Sequence, residues 1–488
     1  MLLTVVRYSS LDRWTLIVVL TASVGTFTHV FKINSLPQGF YIDESSIGYN
    51  AFSILHTGAD EHGARWPLFF EAFGEYKNPI YIYLLSVVYE VFGYSEWSTR
   101  VLNSICWIVG TGGLYALSCR LFADNRTRLY ILLCCCFTPW IFSLSRVSFE
   151  LIVLYPLLAI QLLTIHISFE GKASKWAFVS GLTTGLSIYT ESAFHLLALL
   201  YGMLVLFCYS ARDYRRQQIL FILGAFVPAF PYILYSIHHW DKLTVEFSHL
   251  SYLYNSDLSL AEKFATFLKR YIGYFSPNFL LFSGDPNRRH HTGFGGEFLA
   301  STVILCAIAL ITSLRGLPDR FRWYLILGVA IAPISAALTN DQYHSLRSFS
   351  MSVFLVVLSG YGMLKLRTTS ARVMLALTVI ISLLYEVNYF TVYPRISAEA
   401  FENFGFKEVL SQALKRNPSR VVLSDRDSSQ YINLRFFGTL AEARVPLIMG
   451  SPGILRPGDV YIEVCELGPG QRYALTPDTC PKQLDGNR

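Results

Sequence analysis

Charge is what this chain has least of. Of its 488 residues only 15% are Asp, Glu, Lys or Arg, against a hydrophobic fraction of 53%, a balance that excludes an ordinary soluble domain. The formal charge of +6 is no nucleic-acid signal, because the basic residues are scattered between apolar runs instead of gathered on one face. No internal repeat marks a solenoid. No small-residue cleavage site follows the first apolar run at 14–31, which has the length of a full span, so we expect a retained first span with Arg7 and Arg13 on the inside. Cysteine is scarce in polar surroundings. Cys106, Cys119, Cys134, Cys135, Cys136, Cys208 and Cys306 lie in or beside apolar segments, and the CCC run has no His or acidic neighbours to make a metal site. Cys465 and Cys480 are the only pair in the polar tail; a disulfide between them depends on that tail lying outside the cytoplasm.

What is abundant is apolar sequence in lengths that span a bilayer, recurring down most of the chain. Basic residues punctuate these runs in groups: Arg120, Arg126 and Arg128; Lys172 and Lys175; Arg212, Arg215 and Arg216; Arg315, Arg320 and Arg322; Lys365, Arg367 and Arg372. If each group faces the cytoplasm, two spans must separate neighbouring groups, and polar turns near 137–148, 189–195 and 339–347 divide the intervals accordingly. By the same parity the short apolar segment 79–92 is a membrane-surface or re-entrant helix of the first external loop, and its Tyr81, Tyr83 and Tyr89 suit an interface. The expected fold is an all-α polytopic membrane protein of about eleven transmembrane helices, with its N-terminus cytoplasmic. Residues 1–391 form the membrane domain, with external loops at 34–96 and 238–297. Residues 392–488 form a small extracytoplasmic α/β domain. In it SAEAFENFGFKEVLSQALKRN has helical spacing, while SRVVLSD, YINLRFFG, VPLIMG and DVYIEV read as strands.

That topology puts the out-of-place polar residues on one side. The first loop offers Asp43, Glu44, Asp60 and Lys77; the SRVSFE turn offers Arg146 and Glu150. Tyr189, Glu191 and His195 follow, then Asp285, Arg288, Arg289, His290 and His291, and finally Asp341, His344 and Arg347. Carboxylates facing Arg, Lys and His at one membrane surface suit a phosphate-bearing lipid substrate: cations hold the phosphate and a carboxylate handles a proton. Plainer roles compete. Asp43 and Glu44 could cap a helix beginning near Ser45. Arg146 and Arg347 could be interfacial anchors or structural ion-pair partners. His290 and His291 lack the i, i+4 spacing of metal ligands on a helix.

Several of these stretches carry a resemblance. YIDESSIGYNAF, an acidic pair just after the first span, resembles the signature of the glycosyltransferase C superfamily. More narrowly it resembles family 39, the dolichyl-phosphate-mannose protein mannosyltransferases and aminoarabinose transferases. GEYKNPIYIYL, SRVSFE, FSGDPNRRHHTGFGGE and NDQYHSLRS are similar to external loops of that group. The resemblance covers about residues 10–390 and implies a GT-C-like bundle. It implies Asp43 as the base that deprotonates an acceptor hydroxyl, with Glu44 orienting it or helping to bind the acceptor. Lys77, Arg146 and Arg347 would hold the lipid phosphate, and Asp60, Glu150, Arg288, His290 and His344 would contribute to substrate binding. The implied activity is transfer, with inversion, of a hexose or pentose from a polyprenyl-phosphate donor to a hydroxyl on a lipid, glycan or protein at the external face of the plasma (inner) membrane. No β-trefoil insertion interrupts the long loop and EYKNP departs from the HPP-type segment, which counts against a protein acceptor. Tyr76, not an acid, precedes Lys77, and Glu150 is the only acid of the second loop, so no essential metal or other cofactor is expected. A transporter or flippase of lipid-linked sugars is the rival expectation, and a non-catalytic envelope-assembly protein is the third. Repeats and midplane charges would mark a transporter.

Overall fold

A computed structural model of the protein describes residues 12–315, 319–401, 405–466 and 472–475. Helix α1 (Arg13–Val30) is capped by Asp12, whose side chain accepts from the Thr15 N–H. A turn-rich linker leads to α2 (Ile42–Thr57), which ends at Gly58 in the left-handed conformation that glycine adopts without strain. A two-stranded hairpin, β1 (Phe70–Ala72) and β2 (Glu75–Lys77), delivers the chain to α3 (Pro79–Phe92), whose first-turn proline needs no N–H partner. Then come α4 (Glu96–Leu121), α5 (Asn125–Phe137) and α6 (Pro139–Leu144), the last two separated where Pro139 interrupts one apolar run.

The bundle continues through α7 (Leu154–Ile165), α8 (Lys175–Leu186), α9 (Phe194–Cys208) and α10 (Arg215–His238). The long loop is not featureless: it carries α11 (Trp240–Leu250) and α12 (Leu260–Gly273). Helices α13 (Ala300–Arg315), α14 (Arg320–Ile331), α15 (Ile334–Ala337), α16 (Ser350–Met363) and α17 (Thr368–Thr391) complete the bundle. Among the described residues four helical stretches, Glu96–Leu121, Glu150–Glu170, Arg212–Leu250 and Thr368–Thr391, are by length and composition apolar enough to cross a membrane. Four shorter apolar helices accompany them. Helices α10 and α17 leave large apolar faces uncovered, including Ile237 at 68% and Leu383 at 60% exposure; surfaces of that extent need lipid to cover them. Gly181 and Gly185 on α8 and Gly224 on α10 let the two backbones meet directly, since a Cβ on any of them would collide with main-chain atoms of the partner helix.

After α17 the chain forms α18 (Tyr393–Ala400), α19 (Phe406–Lys415), β3 (Arg420–Leu423), α20 (Tyr431–Leu440), β4 (Leu447–Met449), β5 (Asp459–Glu466) and β6 (Arg472–Leu475). The sheet order is β4-β3-β5-β6, with β3 parallel to both neighbours and β6 antiparallel. The YINLRFFG segment, expected as a strand from its alternation, is helix α20. Parallel β3 and β4 need a crossover between them, and a helix supplies it. Cys465 is disulfide-bonded, while Cys480 lies outside the described residues.

The tail does not stand apart from the bundle. Phe40, from the linker before α2, is buried in the tail's own core and stacks on Phe436 at 4.8 Å between ring centroids. Gly48 on α2 admits Phe436 where a Cβ would meet its ring. Helix α20 thus rests on α2.

Candidate active site

The first turn of α2 sends two adjacent carboxylates in different directions. Glu44 is fully buried. It accepts from Arg100 Nε at 2.8 Å and Nη2 at 2.7 Å, from the Ser148 N–H at 3.1 Å and, back across the cap, from the Tyr41 N–H at 3.3 Å. Arg100, also fully buried, spends its remaining donors on the carbonyls of Ile33, Pro37 and Gly39. This closed, bidentate ion pair ties the linker, α2, α4 and the 145–149 turn together. Both its oxygens are occupied and no solvent reaches them, so the expectation that Glu44 itself helps to bind an acceptor is corrected, while its network fixes the turn from which Asp43 projects.

Asp43 faces the other way, into a cavity. Its Oδ1 lies 2.5 Å from Lys77 Nζ, and its side chain stays 34% exposed. Hairpin strand β2 presents Lys77, and the β2–α3 junction is pinned by Glu150, which accepts from the Asn78 N–H at 2.9 Å and its side-chain amide at 3.0 Å. The cavity, about 220 Å³, is also lined by Glu191, Arg289, His290, His344 and Arg347. Six segments separated by as much as 304 positions, from Asp43 to Arg347, meet here.

The far wall is held by a buried network. Asp285 accepts from His290 Nδ1 at 2.9 Å and from the Ser345 N–H at 2.7 Å. Glu297 accepts from the Asp285 N–H at 3.0 Å and from Ser345 Oγ at 2.6 Å. Burial opposes a charge on Asp285, but His290, His344 and the Ser345 N–H outweigh it and hold the carboxyl well below its usual range. Burial, reinforced by the charge on Asp285, pushes Glu297 up to about 8. Burial and the neighbouring Arg347 and His290 push His344 well below the ordinary imidazole range, so it is neutral at neutral pH.

Arg347 occupies a junction. Its Nη1 donates to Asp341 Oδ2 at 3.0 Å and to Thr339 Oγ1 at 3.4 Å. It lines the polar cavity and also a second, mostly apolar one of about 480 Å³, whose walls include Leu196, Tyr232, Leu243, Phe247, Leu250 and Leu338. A charged group held at Arg347 can therefore carry a long hydrocarbon on its far side.

Of the residues singled out from sequence, Asp43, Lys77, Glu150, His290, His344 and Arg347 converge. Four others do not: Glu44, already described, and Arg146, Asp60 and Arg288. Arg146 is fully buried; its guanidinium donates to the carbonyls of Thr28, Phe31 and Leu36 and lies over the Tyr389 ring at 5.1 Å. It is a brace between α1, the 145–149 turn and α17, and the expectation of a phosphate contact from it is corrected. Asp60 accepts from the His62 and Ala64 N–H groups and caps its own turn. Arg288 packs its guanidinium against Gly293 outside the cavity; the adjacent Arg289 lines it instead, with its Cζ 5.3 Å from the Tyr41 ring centroid. Sequence reasoning passed over Arg100 and ranked Arg288 above Arg289. Nothing in RR decides which side chain turns inward; that depends on the turn that Asp285 builds. Among the described residues no three His, Cys, Asp or Glu side chains are grouped to hold a metal ion.

Residues 76–235 match the family model described as dolichyl-phosphate-mannose-protein mannosyltransferase. The fold matches crystal structures of ArnT from Cupriavidus metallidurans. For the form bound to undecaprenyl phosphate the TM-score is 0.58 at 13% identity, covering 93% of this chain and 94% of that one. For the apo form it is 0.57 at 15% identity, covering 90% and 86%. No curated protein matches the chain by sequence. About a third of the chain thus resembles that family in sequence, and the chain shares its fold with these structures.

Proposed function

We propose that the chain is an inverting glycosyltransferase that moves a sugar from a polyprenyl-phosphate carrier to an acceptor hydroxyl at the external face of the membrane. The observation that carries this reading is the place of Arg347, which is a wall both of a small charged cavity holding Asp43 and Lys77 and of an apolar one. A phosphate on a prenyl chain needs both environments side by side. The same reading takes the bundle as about eleven crossings of the plasma (inner) membrane, with the N-terminus cytoplasmic and the tail extracytoplasmic.

In this mechanism Lys77, Arg289 and Arg347 hold the donor phosphate. Asp43 accepts the proton of the acceptor hydroxyl as its oxygen attacks the anomeric carbon. The bond from that carbon to the phosphate oxygen breaks on the opposite face, and the electron pair leaves with the polyprenyl phosphate. Fixed cations in a cavity with little water stabilise that charge strongly. Lys77 already pairs with Asp43, so a bound phosphate would compete for the ammonium and free the carboxylate for its proton. No metal is invoked.

The test is transfer of radiolabelled sugar from a polyprenyl-phosphate donor by wild type and Asp43→Asn. General-base help is worth about 10²–10⁴ in rate, and a loss in that range is expected with donor binding retained. Turnover at the wild-type rate in Asp43→Asn would refute the assignment.

A further inference from the structure

A third cavity, about 730 Å³ and open to solvent, lies where α20 and β4 of the tail meet α2, and no role has been given to it so far. Its walls include Tyr49, Tyr431, Arg435, Thr439, Glu442 and Met449. Arg435 is flanked by two aromatic rings, with its Cζ 5.4 Å from the Tyr49 centroid and 5.2 Å from that of Tyr431, and its Nη1 donates to the Glu61 carbonyl at 2.9 Å. These contacts fix the guanidinium in place before any ligand arrives. The cleft also adjoins the reaction cavity through named contacts. Tyr431 meets Phe73 at 6.3 Å between centroids, and Phe73 lies under the Lys77 ammonium at 5.6 Å, which is the group paired with Asp43.

The chemistry of the walls selects among ligands. Aromatic faces beside a planar cation and a carboxylate suit a molecule with apolar C–H faces and many hydroxyls, which describes a saccharide. Arg435 Nη1 also lies 3.6 Å from the Glu61 carboxylate, so its charge is already offset and the cleft offers no concentrated charge for a phosphate-rich polymer. A peptide added as a strand would have only the three residues of β4 to pair with. The volume is in the range of small-molecule sites.

We propose that this cleft binds the acceptor as an oligosaccharide and guides its terminal hydroxyl past Phe73 toward Asp43. The proposal deepens the transferase reading and rests on it for the word acceptor. Binding itself is tested without turnover. Saturation-transfer NMR on the full-length protein in lipid nanodiscs, with maltotetraose and chitotetraose as probes, should give a signal for at least one of them. Arg435→Gln and Glu442→Asn should each cut that signal at least fivefold while affinity for undecaprenyl phosphate stays within twofold. Position 442 has φ of 49°, which Asn tolerates, so the second variant is expected to fold even if the first does not. No signal from either sugar, or a signal that survives both substitutions, would overturn the site. So would a Ser/Thr-rich peptide that binds through the same two residues in their place. A saccharide signal from a protein that binds no undecaprenyl phosphate would overturn the acceptor role together with the donor reading, and is thereby told apart from failure of the cleft.

Discussion

Asp43 and Glu44 share a helix turn, yet Glu44 is bound into the interior and Asp43 faces the cavity. Glu44 with Arg100 is a buried pair whose members each lack solvent, so removing one strands a charge. Arg100→Ala is expected to cost about 3–5 kcal/mol, read as a large fall in the midpoint of chemical or thermal unfolding. Asp43→Asn should leave that midpoint almost unchanged. Glu297 gives a prediction in pH. Unfolded, its carboxyl titrates in the usual range near 4.5; folded, it keeps its proton up to about 8. The folded state therefore holds more protons between those values, and the stabilisation is fully present below the lower one and drains away as pH rises through the upper one. Glu297→Gln, which retains an acceptor for Ser345 Oγ, should lose less stability than wild type between about pH 5 and about pH 9 in thermal melts.

At the scale of elements, α20 and α2 depend on one close approach. A side chain on Gly48 has no room beside Phe436. Gly48→Val should push α20 away, costing about 1–3 kcal/mol as overpacking does, and should slow transfer although every group lining the polar cavity is still present. Melting curves and initial rates on the same preparation check both halves. Elements also mark where the sequence was and was not legible. Asp43 and Lys77 stood out because charge is rare in this chain and needs a reason near a membrane. The tail strands β3, β4 and β5 were readable from apolar runs broken by Pro and Gly. Helix α20 was not, because Ile432, Leu434 and Phe436 alternate as a strand would, and only the parallel pairing of β3 with β4 demands a helix between them. The Glu44–Arg100 pair was illegible for a similar reason: its partners are 56 residues apart, and no local pattern connects them.

Across the whole molecule, two arginines that looked alike in sequence separate by what surrounds them. Arg146 has backbone carbonyls as partners, whereas Arg347 stands where a polar space meets an apolar one. Arg347→Ala should weaken undecaprenyl phosphate binding by tenfold or more, since a charge-assisted hydrogen bond contributes about 1.5–3 kcal/mol. Arg146→Ala should instead lower thermal stability, with the protein that remains folded binding the lipid as wild type does. Equilibrium binding and melting on both variants separate the two roles, and equal losses of affinity would contradict the division.

Phe40 lies three positions before Asp43, and its ring is part of the tail's interior. A protein cut short after α17 would leave that ring in water and deprive the start of α2 of its outer wall. The helical bundle would keep its own core, but the Asp43 carboxylate would lose its fixed bearing. The tail is on this account a splint for the turn that carries Asp43 rather than a detachable appendage, and the two portions are expected to fail when separated.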